Sequence, residues 1–557
     1  MDMSELPKSQ YAVQLVGPDK PVLNKSKEVH KPGAHQILCR VEAVGLCFSD
    51  LKLLKQFSTH PRKTEITAGI DPQILAEIAS YVPGDKATVP GHEAVVRVAA
   101  VGPGVDKFNI GERYLVQTDY RWLPTAQSNA SFGYNFEGAL QQYVLMDERI
   151  ITSPAGESML IGVSEQLSSS AVALIEPWAC VEDAYASRER RTIKTDGKML
   201  IVADAEVKGE MLNNLLDNYG RQAGITWLSN NAPPGLSGIA NNTAGDISKL
   251  PDAGFDDVIY FGSDAAKAEV LFGKVGPKGL LNIVQCGGKF GADVTAQIGR
   301  VHYGGIRVVG TTGSDPAEGM KHIPATGEIR PGDKINVVGA AGPMGMMHVV
   351  RSICQGVEGV TVFAGDLDDS RLAVLAKIAE PLAEKNAVEC RVYNPQKESA
   401  GERFDYTALM APVPQLASAA VRSAAEGGII NVFAGIPASK TGEIDLDTYI
   451  DKHLYFIGTS GSVLEDMKSV LAKVVSGRLD TNVSVAAVAG LDGACEGIRA
   501  VENRLLPGKI VVYPACKGLP LTPLDKLAET MPEVAERLTD GLWTKQAEQK
   551  LLEGFKQ

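Results

Sequence analysis

The sequence predicts an α/β protein: a β-rich domain followed by two doubly wound parallel-sheet domains in tandem. Three observations carry this. Residues 1 to about 150 alternate short β-type runs with Gly/Pro turns and show few helical periods. From about 195, apolar strand-like runs alternate with amphipathic stretches, the pattern of βαβ units on a parallel sheet with helices on both faces. That second texture occurs twice. Gly279-Leu-Leu-Asn-Ile-Val resembles Gly428-Ile-Ile-Asn-Val-Phe, and Phe255-Asp-Asp-Val resembles Phe404-Asp-Tyr-Thr, each at an offset of 149. Gly310-Thr-Thr-Gly-Ser resembles Gly458-Thr-Ser-Gly-Ser at 148, and Gly197-Lys-Met-Leu-Ile-Val resembles Asp333-Lys-Ile-Asn-Val-Val at 136. Four matches in one order imply a duplicated domain, copy one over 195–325 and copy two over 330–485.

The elements follow in chain order. Ile37–Val44, Ala94–Val101 and Tyr114–Gln117 read as strands of the first domain, placed over 1–190. Residues 168–188 read as a helix that Pro177 must bend or restart. After the two copies, the charged tail (516–557) has a helical pattern and is expected to be solvated or to contact a second subunit.

Bulk properties narrow the function. At 557 residues the chain has room for about 3.7 domains of ordinary size. The net charge of −12 argues against nucleic acid or an anionic membrane as main partner. Eight scattered Cys without a CxxC pair indicate a reducing compartment rather than a disulfide framework. With no apolar leader and no 18-residue apolar run, the expectation is a soluble cytoplasmic protein.

In copy two, the strand Lys334–Val338 runs into Gly339-Ala-Ala-Gly-Pro-Met-Gly345, and a helix follows. This is an AxGxxG turn over Ala340, Gly342 and Gly345, with Pro343 and Met344 between. Gly342 lets the backbone approach a pyrophosphate, Gly345 lets helix and strand pack closely, and the helix start offers free N–H groups. The next strand ends at Asp366, 21 residues past Gly345, where a carboxylate accepts the ribose hydroxyls. Asp366 favours NAD, and Arg371 nearby leaves NADP open. Copy one has Ala203-Asp-Ala-Glu-Val-Lys-Gly209 at the same turn and Ser229-Asn-Asn after its second strand. It is expected to bind no dinucleotide and to have a structural or assembly role.

A second constellation lies before residue 180: Gly45-Leu-Cys47-Phe-Ser49-Asp50, Pro90-Gly-His92-Glu93 and Leu174-Ile-Glu176-Pro-Trp. Together these offer a thiolate, an imidazole and a carboxylate, enough for a three-ligand zinc site with an open position. Asp50 can hold the far nitrogen of His92, and Ser49 can take the proton of a bound alcohol.

These motifs resemble those of the medium-chain zinc-dependent alcohol dehydrogenase superfamily, which includes the polyol and sorbitol dehydrogenases. GLCFSD, PGHE, ALIEPWAC and the turn with Asp366-Leu-Asp-Asp-Ser-Arg-Leu carry the resemblance, over roughly 30–190 and 330–515. It implies a GroES-like β-rich catalytic domain joined to a Rossmann domain, with the active site in the cleft between them. It further implies Cys47, His92 and Glu176 as zinc ligands, Glu93 beside the metal and able to enter its shell, and Ser49 as the start of a proton relay. Residues 486–515 are then expected to return to the catalytic domain.

Four departures stand out. Residues 113–138 contain no Cys, so one catalytic zinc and no structural zinc is expected. His92 lies 45 positions after Cys47, about twice the family's spacing, because of an insertion over 55–88. That insertion carries His60-Pro-Arg-Lys63 and a helical-looking DPQILAEIASYV; it is read as a solvated loop, or as a cleft cover whose basic cluster binds a phosphorylated sugar. Lys52 stands where polyol dehydrogenases often have a relay His. Copy one is inserted before the cofactor domain.

The expected activity is hydride transfer between a nicotinamide cofactor and a secondary alcohol of a polyol, sugar or sugar phosphate, by a homo-oligomer without nucleic-acid or membrane partners. Two rivals remain: a non-catalytic scaffold with a dehydrogenase fold, and a zinc-free NADP-dependent enone reductase.

Overall fold

A computed structural model describes residues 6–222, 224–229, 240–243 and 245–555. The chain divides into two units, Met1–Cys180 with Ser462–Gln557, and Val181–Gly461.

The first unit is built on the strand Gln36–Gly45. It pairs antiparallel with Glu93–Val101, Tyr143–Asp147 and Lys509–Val512. Inward side chains Ile37, Cys39 and Val41 join Leu491, Ile498 and Ile510 in one core. The chain re-enters this unit at Ser462, before the expected 486, because Leu464 of the helix Leu464–Val475 is buried in the same core.

The helix read over 168–188 is two helices, Ser169–Ala173 and Ile175–Ala186. Pro177 falls in the first turn of the second, where its missing N–H costs nothing, so the break sits at Leu174 instead. The tail is not solvated. Its helix Lys545–Gly554 buries Ala547, Glu548 and Leu551, with Trp543 just before it. Glu548 accepts hydrogen bonds from Ser169 N (2.5 Å), Ser170 N (2.8 Å) and Tyr513 Oη (2.9 Å). It thereby satisfies free N–H groups at the start of Ser169–Ala173.

The second unit holds two six-stranded parallel sheets. Numbered in chain order within each copy, both have strand order 3-2-1-4-5-6, the doubly wound order of dinucleotide folds. All five residues of Met199–Ala203 are buried, as expected for a strand covered on both faces. The copies repeat in detail: each has an irregularity in the pairing of its fourth and fifth strands, at Phe255/Asp257 and at Phe404/Tyr406. A single core contains Leu200, Tyr260 and Ile283 of copy one and Leu409, Ile430 and Phe456 of copy two.

A short antiparallel ribbon joins the copies, Val294–Ala296 against Gly442–Ile444. Val294 faces Ile444 and Ala296 faces Gly442. Since 442 and 444 are the 148-offset equivalents of 294 and 296, Val294 meets the counterpart of Ala296 and Ala296 meets the counterpart of Val294. That is the reciprocity of a two-fold interface, here inside one chain. Among the described residues, no helix is long and apolar enough to cross a membrane, and all eight Cys are free.

Candidate active site

The metal-ligand candidates meet where three strands register. Gly45 lies opposite Glu93 on one side and Val511 on the other. Cys47 is two residues past Gly45, and the helix Phe48–Gln56 starts immediately after it. Gly45 leaves room for the Glu93 carboxylate: a Cβ there would sit 2.0 Å from Glu93 Oε2 and displace it.

One thiolate, imidazole and carboxylate atom from Cys47, His92 and Glu93 lie within 4.8 Å of one another. Asp50 ties this corner together. It accepts from Cys47 N (3.0 Å) and Gly91 N (3.3 Å), and its Oδ1 lies 3.2 Å from His92 Nδ1, an ion-pair distance off the hydrogen-bond line. Burial pushes the Asp50 carboxyl up, but His92 and these N–H groups outweigh it and hold it below its ordinary value. With Nδ1 facing Asp50, Nε2 of His92 is left for a metal. Burial opposes charge on the His92 ring, yet its surroundings, Tyr134, Asp50 and Cys47, hold its pKa well above the usual value. The pocket therefore favours a positive charge at this point.

Glu93 is fully buried. Its Oε1 takes an ion pair from Lys509 at 2.5 Å, and its Oε2 has no partner. An orphaned carboxylate oxygen beside a thiol and an imidazole suits a zinc-type donor set. Glu176 is outside the 4.8 Å group. It is buried, and burial pushes its carboxyl up, with the charges of His92 and Glu93 felt next. The carboxylate grouped with Cys47 and His92 is thus Glu93, and not Glu176, which the sequence reading expected as the third ligand. Ser49 is half-buried, its Oγ 3.2 Å from Cys47 Sγ. Lys509 was missed by sequence reasoning; the only trace was a Lys heading an apolar strand, Lys509-Ile-Val-Val.

In copy two the turn is built from glycines and stays open above the helix start. Gly339 has φ 83°, and Gly342 caps the helix Pro343–Cys354, so Pro343 and Met344 form its first turn. A Cβ on Gly345 would lie 2.2 Å from Gly339 O, whereas one on Gly342 would meet only Gly339 O, at 4.0 Å. Gly345 serves packing and Gly342 faces open space. Ala340 is buried under the turn. Asp366 accepts from Ala341 N (3.0 Å), Leu367 N (2.7 Å) and Asp368 N (3.2 Å). Arg371 lies 3.7 Å from Asp368.

In copy one the equivalent space is filled. Asp204 accepts from Tyr260 Oη at 2.7 Å and pairs with Lys267, and Tyr260 Oη also accepts from Asp264 N at 2.9 Å. Ser229 ends the second strand; Asn230 and Asn231 lie outside the described residues.

Residues 33–155 match the alcohol dehydrogenase GroES-like domain. The chain is 31% identical over 248 residues to the uncharacterized protein YggP of Escherichia coli (strain K12), covering 41% of this chain and 58% of that protein. It is 28% identical over 237 residues to L-sorbose 1-phosphate reductase of Klebsiella pneumoniae, covering 40% and 56%. These matches span less than two thirds of either relative. The solved structure of 2R,3R-butanediol dehydrogenase from Bacillus subtilis superposes with TM-score 0.53 at 15% identity, over 91% of this chain and 100% of that one. The chain therefore carries an alcohol dehydrogenase GroES-like domain over 33–155 and shares the fold of a solved dehydrogenase, with its parallel-sheet domain present twice.

Proposed function

We propose that the protein is an NAD-linked, zinc-dependent oxidoreductase that interconverts a secondary alcohol and a carbonyl on a polyol, sugar or sugar phosphate. The observation that carries this is the convergence of half-buried Cys47 with buried His92 and Glu93 within 4.8 Å. The relationship to a protein named L-sorbose 1-phosphate reductase supports the substrate class.

When bound, zinc supplies Lewis acidity toward the substrate oxygen, and the nicotinamide supplies the hydride carrier. The chain's own residues do the rest. Cys47 and His92 hold the metal with a carboxylate from Glu176 or Glu93. Asp50 fixes the ring of His92 and the loop of Cys47 at once. Lys509 balances the charge of Glu93, so a buried carboxylate persists beside the thiol. Ser49 takes up the hydroxyl proton of the substrate. Asp366 accepts the ribose hydroxyls and repels a 2′-phosphate, which favours NAD over NADP.

The test is zinc content by elemental analysis together with NAD(P) reduction on an alcohol, polyol and sugar-phosphate panel. Cys47→Ala is expected to lose bound zinc and at least a hundredfold in kcat/KM, roughly the cost of a lost ligand. Full activity in that variant sinks the proposal. Because burial keeps Glu176 protonated above the usual carboxylate range, zinc affinity should fall as pH drops and protons compete for the ligands.

A further inference from the structure

The insertion is folded, and it brings His60 and Arg62 close to the ligand cluster. Its turns Phe57–Thr59 and Pro61–Lys63 are pinned from both sides. Phe57 is buried in the core. The Lys63 ammonium is buried, donating to Val82 O and to Lys86 O (2.9 Å). Asn135 Nδ2 holds Thr64 O at 3.1 Å, and Ile66 bridges to Thr125. Only six residues, Pro72–Glu77, are helical in the stretch that read as a longer helix.

Residues 60–62 are thereby fixed beside the site. The His60 ring lies 5.1 Å from the Tyr134 ring, which lies 5.7 Å from the ring of His92. The Arg62 guanidinium sits over Tyr134 at 5.5 Å. It pairs with Asp119 through contacts of 2.8 and 3.3 Å, and the negative field of Glu176 reaches it. Arg121 approaches the same Asp119 at 3.9 Å. Two guanidiniums thus share one carboxylate, which also accepts from Ser131 Oγ at 3.0 Å. Lys52 lies exposed on the helix Phe48–Gln56, and its charge, with that of Arg62, reaches His60. Burial first, and then those two cations, push the His60 ring down to about 4. His60 Nδ1 accepts from Arg62 N at 3.2 Å, which places the ring proton on Nε2 as a neutral donor.

We propose that Arg62, Lys52 and Arg121, with the Nε2–H of His60, form a subsite for a phosphate monoester on the substrate, so that the protein acts on phosphorylated sugars or polyols. This rests on the dehydrogenase reading above. Two guanidiniums against the one carboxylate of Asp119 leave a net positive charge beside the neutral donor of His60, although Arg121 also donates to Ser462 O at 2.7 Å; this matches a dianion with three acceptor oxygens better than a single carboxylate, which one guanidinium fork would satisfy. Two ring-to-ring steps between His60 and His92 match the length of a sugar chain, with the carbinol at the metal and the phosphate at the insertion.

The test uses the full zinc-loaded chain. Calorimetric binding and kcat/KM are measured for sorbitol 6-phosphate, fructose 6-phosphate and L-sorbose 1-phosphate against their unphosphorylated counterparts, with inorganic phosphate alone as a further probe. The native chain should bind at least one phosphate ester far more tightly than its parent. Arg62→Gln should weaken that binding roughly tenfold to a hundredfold and lower the phosphorylated-to-unphosphorylated ratio of kcat/KM by a similar factor. Arg62→Lys should recover part of the loss. Lys52→Ala, at an exposed position where folding is not at stake, should weaken binding about threefold. Equal native affinity for every ester and its parent, or variant losses that are the same with and without phosphate, would overturn the subsite. Arg62-dependent ester binding without any NAD reduction supports the subsite and counts against the dehydrogenase reading, so the two failures are distinct.

Discussion

Copy one and copy two of the parallel-sheet domain share a frame and differ at their strand ends. Their strand orders agree, and their irregularities fall at equivalent positions. Even the buried Asn282 and Asn431, 149 apart, each leave Oδ1 without a partner. The difference begins where the first strand stops. Copy two turns on Gly339, Gly342 and Gly345 and leaves space above the helix start. Copy one places Asp204 there and closes it with Tyr260 and Lys267. The shared frame is held by one core, to which the turn residues contribute little. A cofactor turn can therefore change while the fold stays, because the loop carries the site and the core carries the stability.

The strongest way to break this comparison is to remove copy one. Deleting 195–325 strips half of a common core, and the expected result by calorimetry is that the transition of copy two is lost while that of the first unit, which has its own core, remains. A second cooperative transition in the remainder would show that copy two stands alone. The ribbon offers a matched pair. Ala296→Asp and Ile444→Asp each bury a charge at one of two buried positions that are 148 apart and therefore two-fold equivalents, and each should cost about 3 kcal/mol or more. Denaturant melts should show similar losses for both; a large loss in one alone would deny the two-fold relation.

Smaller effects sharpen the functional contrast. Asp366→Ala should weaken NAD binding roughly tenfold or more in a fluorescence titration, since a charged hydrogen-bond acceptor is lost. Asp204→Ala should leave NAD affinity unchanged and lower Tm by only a few degrees. A reversed outcome would exchange the roles assigned to the two copies.

Much of the site was legible because its chemistry is local. Cys47, Ser49 and Asp50 lie within four residues, and His92 and Glu93 are adjacent. The nucleotide turn and Asp366 follow each other within one βαβ unit. Lys509 was not legible, since it reaches Glu93 from 416 residues away through strand pairing. The tail was misread for a similar reason: its charged composition hid Trp543, Ala547 and Leu551, which repeat every four residues on one buried face. Within that face, Glu548 is an acid whose partners are backbone N–H groups of Ser169 and Ser170.

The sequence by itself determined the β-rich start, the duplication and the asymmetry between a glycine turn and an acidic one, because these are set by residues near one another in the chain. Only the tertiary structure decided which carboxylate meets Cys47 and His92, that copy one pairs with copy two as a partner subunit would, and that the insertion points its arginine at Tyr134. Those depend on strand register and shared burial, which join residues hundreds of positions apart, and local pattern carries no record of such pairings.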